Sequence, residues 1–150
     1  MVAKEILNAV VALIETGGFT DVDIERQLVP RQPKNKLTRP LIAVCWNGKE
    51  GKEVDRVNEF LEYKVAVGIY YPVTSVMNAG QQDLVIDFVE SVQDFIADRD
   101  NRELTLASQG TAELQLPFDT DQIFDPEEVR QTGCFFSVMN FNYYYYKGRS

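Results

Sequence analysis

Histidine is missing from this sequence altogether. Without an imidazole there is no Ser-His-Asp or Cys-His nucleophilic site and no histidine metal cluster, so the commonest neutral-pH chemistry is excluded. Cysteine is almost missing too. Cys45 and Cys134 are the two copies, each inside an apolar run, and they read as buried free thiols of a reducing compartment. Basic residues are scarce, 15 against 23 acidic ones, which leaves a formal net charge of -8. A surface of that sign repels a nucleic-acid duplex. No apolar run approaches the roughly 20 residues of a membrane span, and the opening Met-Val-Ala-Lys-Glu-Ile lacks a secretory pattern, so neither a membrane nor export is expected. Phosphate cradles are absent as well: Gly17-Gly18 closes a helical pattern where a cradle would open one, and Gly48-Lys-Glu-Gly51 lacks P-loop spacing.

What is present is apolar periodicity. With 150 residues and 45% hydrophobic content, the chain reads as one globular domain over residues 1–150. Cys134 to Tyr146 forms the most informative stretch, a long strand with aromatic residues on both faces: Phe135, Met139, Phe141, Tyr143 and Tyr145 on one, Phe136, Val138, Tyr144 and Tyr146 on the other. One face suits a core; the second calls for a helix of the same chain or for another subunit. Ile6, Leu7, Val10, Val11, Leu13 and Ile14 follow helical spacing over Ala3–Thr16, ended by Gly17-Gly18. A second amphipathic helix spans Ala79 to Asp98, capped by Asn78 and striped by Leu84, Val85, Phe88, Val89, Val92, Phe95 and Ile96.

Between and after the helices lie strands. An irregular edge strand is expected within Thr20–Pro33, leading into an arm, and a strand buried on both faces over Pro40–Trp46. Asn47-Gly48 reads as a tight hairpin turn opening a polar tip from Lys49 to Asp55. The next strand places Leu61, Tyr63, Val65, Val67, Ile69, Tyr71 and Val73 on one face and extends back toward Val57, with a short helix over Val54–Leu61 as the competing reading. Arg99–Gly110 is a polar connection, Ala112–Phe118 a short strand, and Asp125-Pro-Glu-Glu128 a helical turn. The expected fold is α+β: a mixed, mainly antiparallel β-sheet packed by two amphipathic helices, with a projecting hairpin or loop.

Carboxylates offer little catalysis. Asp83 with Asp87 and Glu90 with Asp94 fall on the wet face of the second helix, and the Asp119–Glu128 run lacks the oxygen ligand and glycine of a calcium loop. Charge is instead segregated. Arg26, Arg31, Lys34, Lys36 and Arg39 fall between 26 and 39 with no acid among them. Glu113, Asp119, Asp121, Asp125, Glu127 and Glu128 fall between 113 and 128 with no base. The two segments complement each other, within one chain or across a head-to-tail contact between copies; a third reading has the basic arm, kept extended by Pro30, Pro33 and Pro40 but without an aromatic residue for base stacking, touch DNA. Arg31, Lys34, Lys36, Arg39, Asp119, Asp121, Asp125, Glu127 and Glu128, with Tyr144 and Tyr146, are therefore the candidate subunit-interface residues. No enzymatic activity and no cofactor is expected.

The order of parts resembles that of the tail terminator and tail-completion proteins of tailed bacteriophages. The resemblance rests on the opening helix, the basic proline-punctuated segment into Arg39-Pro-Leu-Ile-Ala-Val44, the strand Tyr63–Tyr71, the helix Ala79–Asp98 and the closing aromatic strand. It implies a structural virion protein: a ring, usually a hexamer, at the head-proximal end of the tail, assembled in the host cytoplasm. That ring stops polymerisation of the tail tube protein, meets the sheath protein in contractile tails, joins the neck or connector proteins, and passes DNA through its lumen without specific binding. A head-tail adaptor or stopper, or a non-viral module that binds proteins through a sheet edge, is the alternative.

Overall fold

The computed structural model describes residues 2–28, 38–53, 58–73, 79–108, 110–123 and 134–148. The chain is α+β, as its periodicities imply. Helix α1 (Val2–Glu15) precedes strands β1 (Asp23–Gln27), β2 (Leu41–Glu53) and β3 (Asn58–Pro72). Helix α2 (Ala79–Ala97) and a 3-10 turn (Arg99–Asn101) lead to β4 (Glu103–Thr105), β5 (Thr111–Ile123) and β6 (Cys134–Gly148). All six strands form one sheet in the order β1-β2-β3-β6-β5-β4; β1 runs parallel to β2 and every other pair is antiparallel.

Both helices lie on the same face of this sheet. Ile6, Leu7, Val10 and Ile14 from α1 and Val85, Val89, Val92 and Ile96 from α2 share a core with Val65, Val67, Ile69, Met139, Phe141 and Tyr143. The period-2 assignment of β3 and β6 therefore holds, since the odd-numbered residues of both strands make this core. The opposite face gathers Leu41, Ala43, Cys45, Ala66, Tyr70, Cys134 and Phe136 into a second cluster with no member from either helix. Alternate residues of Leu41–Cys45 thus enter opposite clusters, so that stretch is buried on both faces as expected.

The end of α1 is built by close approach. Thr16 Oγ1 donates to the Leu13 carbonyl at 2.6 Å and the Gly17 N–H to the Ile14 carbonyl at 3.0 Å; Gly18 then turns with φ +74°. Phe19 folds back edge-on to Phe88 and Phe95, with ring centroids 6.2 and 5.7 Å away. A Cβ on Gly17 would stand 2.6 Å from the Phe19 ring and 3.1 Å from Phe95, so this wedge requires glycine.

Several readings are corrected. Asn47-Gly48 is no hairpin turn: β2 runs on to Glu53, and the dipeptide forms a bulge where Trp46 faces Val65 but Lys49 faces Tyr63. Gly48, at φ +117°, supplies the backbone for that extra residue. Residues 58–61 are strand, not helix, and the β2–β3 hairpin is backed by β6 as far as Asn58 opposite Gly148. The Arg99–Gly110 connection holds β4, whose Leu104 is buried, as is Leu106 beside it. Strand β5 continues past Phe118 to Ile123 because Pro117, lacking an N–H for the ladder, sits inside a register shift between Gln115 and Asp119. Leu84 points to solvent, 61% exposed, instead of joining the α2 stripe. The Asn78 cap, the 29–37 arm and the Asp125–Glu128 turn lie outside the described residues.

Candidate functional site

The buried thiols and two of the phenols are held in their neutral forms. Among the described residues no cluster of three or more Cys, Asp or Glu side chains is arranged to hold a metal ion. Cys45 and Cys134 are free and buried, and desolvation pushes both thiols up to about 11. Desolvation also raises the phenols of Tyr143 and Tyr63, the latter with a smaller contribution from nearby Tyr145. None of these is a nucleophile at neutral pH.

The aromatic strand hides more of itself than its alternation implies. On its second face Phe136 is 8% exposed and lies 4.6 Å, centroid to centroid, from fully buried Tyr70. Phe136 is thus covered within one chain and by no helix, whereas Val138 and Tyr144 on the same face stay half-buried. Tyr144, half-buried, sits in register with Glu62 of β3 and Glu113 of β5, and Glu113 faces Glu103 of β4. Glu113 and Glu103 are exposed and lie side by side on the face without helices, while Glu62 is buried at 7%. Tyr146 lies opposite Phe60 in the ladder.

The segregated charges are only partly placed. Arg39 pairs with Asp23, just before β2 and at the start of β1, and not with the acidic segment. The Asp23 carboxylate raises its pKa by hydrogen bond and charge. Asp119 and Asp121 lie on β5 opposite Asn140 and Val138. Arg31, Lys34, Lys36, Asp125, Glu127 and Glu128 lie outside the described residues.

A surface that sequence reasoning missed lies around Trp46. The bulge at Asn47-Gly48 leaves this side chain 46% exposed, with its indole Nε1 donating to the Gly48 carbonyl at 3.1 Å. Two open clefts meet at Trp46 and Ala3. One, of about 470 Å³, is lined by Lys4, Leu7, Arg26, Gln27 and Leu28. The other, of about 540 Å³, is lined by Glu5, Lys49, Leu61, Tyr63, Ser108 and Tyr145 among others. Leu28 is 80% exposed at the first. At the rim, Arg26 donates to Asn8 Oδ1 at 2.9 Å, Lys49 stands 5.7 Å from the Tyr63 ring centroid, and Glu5 accepts from Ser108 at 2.9 Å. The arrangement is an apolar floor with a mostly basic rim, suited to an apolar segment flanked by carboxylates. Nothing in the sequence marked this surface, because Trp46 closes an apolar run and its exposure comes from the bulge that follows it.

Compared with known proteins, the chain matches no protein-family model and no curated sequence.

Proposed function

We propose that this chain is a structural virion protein of the tail terminator kind, assembling into a ring at the head-proximal end of a phage tail. The observation that carries the reading is the one-sided sheet: both helices cover one face, while the other bears the exposed neighbours Glu113 and Glu103 beside Tyr144. Facing a lumen, such carboxylates on a chain of net charge -8 let DNA slide past without being held. The Trp46 surface supports the assembly side of the proposal, because an exposed apolar floor on a chain with inert thiols and no histidine suits association better than catalysis. In this role the partners are further copies, the tube protein and the neck.

The test is to add purified protein to polymerising tail tubes and measure tube length by electron microscopy. Rings of constant diameter at one tube end, with elongation stopped, are expected; tubes that grow unchanged and carry no terminal ring contradict the role. A second reading, a binding module that captures an extended peptide at a sheet edge, is favoured by β1, which pairs only with β2 among the described strands. A monomer that binds no tube would favour it.

A further inference from the structure

Two exposed apolar places on this chain carry opposite charge. The first is the smaller cleft at Trp46, where Leu28 and Trp46 lie with Lys4 and Arg26 and, among the described residues, with no carboxylate. Arg26 there donates to a neutral amide, that of Asn8. The second is on α2, where Leu84 continues the apolar stripe in sequence and yet stands in solvent. Helix α2 holds Asp83, Asp87, Glu90 and Asp94 and no Lys or Arg. Asp87 is the neighbour of Leu84 at i+3 and of Asp83 at i+4, so one apolar knob is flanked by two exposed carboxylates.

Neither place covers the other within one chain. Strand β2 and helix α2 are anchored in the same core, and with both so fixed Trp46 and Leu84 remain about half exposed or more. Knob and cleft match in kind: an apolar centre with acids on one, an apolar centre with bases on the other, and a cleft of about 470 Å³ to admit a leucine side chain.

We infer that Leu84 of one copy, with Asp83 and Asp87 beside it, seats in the cleft between Trp46 and Leu28 of another copy, where Lys4 and Arg26 meet the two carboxylates. The mode is a helix docked by its exposed side against an apolar groove. Leu84 and Trp46 leave water together, and the charges at the rim set orientation and rate of encounter. The partner, a further copy, comes from the ring reading above, on which this contact rests. Because knob and cleft are different surfaces, each copy in a chain of contacts keeps one of each to offer, and such an association closes into a ring or continues as a filament.

Trp46 is the single tryptophan, so its emission reports the seat directly. In the full-length protein, Lys4→Glu with Arg26→Glu is compared with Asp83→Lys with Asp87→Lys, with all four changes combined, and with Leu84→Ala, all at exposed positions. Sedimentation velocity gives the affinity, and circular dichroism shows that each variant is folded. Association of the wild type should shift Trp46 emission to the blue. Each reversal alone should weaken association by roughly tenfold or more and remove the shift, while the combined reversal restores both to within a few-fold. Leu84→Ala should lose the shift without lowering Tm. An oligomer whose affinity and emission ignore both reversals and Leu84→Ala overturns this contact and leaves the ring reading standing. Association that obeys the charge reversals but stops at a reciprocal dimer keeps the contact and overturns the ring; a wild type that stays monomeric overturns both. Emission that moves only when tail tubes are added gives the cleft to the tube protein and overturns the contact between copies.

Discussion

Replacing Tyr143 by Phe should make this protein more stable, not less. The Tyr143 side chain is fully buried, in register with Tyr63 and Leu114, and its hydroxyl has no hydrogen-bond partner among the described residues. Burying an unpaired hydroxyl costs about 1–3 kcal/mol. Phe keeps the ring and its apolar contacts and forfeits only the dispersion contacts of one oxygen, a few tenths of a kcal/mol. The net gain is about 1 kcal/mol or more, which raises Tm by roughly 2–4 °C per kcal/mol in a domain of this size. Thermal denaturation followed by circular dichroism at neutral pH measures it, with Tyr143→Ala as the control that should lose about 3–5 kcal/mol through a core cavity. A fall in Tm for Tyr143→Phe would refute the reasoning, because it would mean the hydroxyl is bonded in solution and its desolvation already offset.

Other consequences follow from the same packing. Gly17→Ala should destabilise by about 1–3 kcal/mol in urea titration, since its Cβ would strike a Phe19 ring held between Phe88 and Phe95; an unchanged midpoint would show that the wedge yields. Folding keeps the Cys45 and Cys134 thiols protonated up to about 11 against an ordinary 9.0, so the unfolded chain gives up protons first. Stability should be level below pH 9, fall as pH rises from 9 to 11 and then level off in this contribution, and neither thiol should react with a thiol reagent at pH 8 until the protein unfolds. Rapid labelling of the native protein would contradict this. Arg39→Ala should leave Tm unchanged within error and oligomer mass unaltered, because its partner Asp23 is in the same chain and both side chains are about half exposed.

The fold was readable wherever one periodicity ran long. Helix α1, helix α2 and the two-faced alternation of β3 and β6 each depend on burial patterns repeated over several turns or pleats, and local exceptions do not disturb them. Misreadings arose where one residue pair carries two meanings. Asn47-Gly48 suits a two-residue turn and a bulge equally, because both ask for positive φ at glycine, and only the length of β3 decides between them. Strand β4 is too short to show a period, and Pro117 hid the continuation of β5 because a register shift spares it the ladder bond it cannot make. The candidate site was the least legible part. Trp46 looked like the last residue of a buried strand, and its exposure follows from tertiary facts: the bulge, the start of α1 and the edge position of β1. Of the residues singled out by charge, Arg39 acquired a partner that the segregation of charge did not suggest, since Asp23 lies outside the acidic segment.

The claim on which the account turns is that copies of this chain associate head-to-tail into a closed ring. Native mass spectrometry of the purified full-length protein tests it most directly. The account predicts one discrete assembly of about 100 kDa, six copies of a 17.1 kDa chain, resistant to dilution near its working concentration. A single species at 17.1 kDa across the accessible concentration range, or an open-ended ladder that never closes, would contradict it.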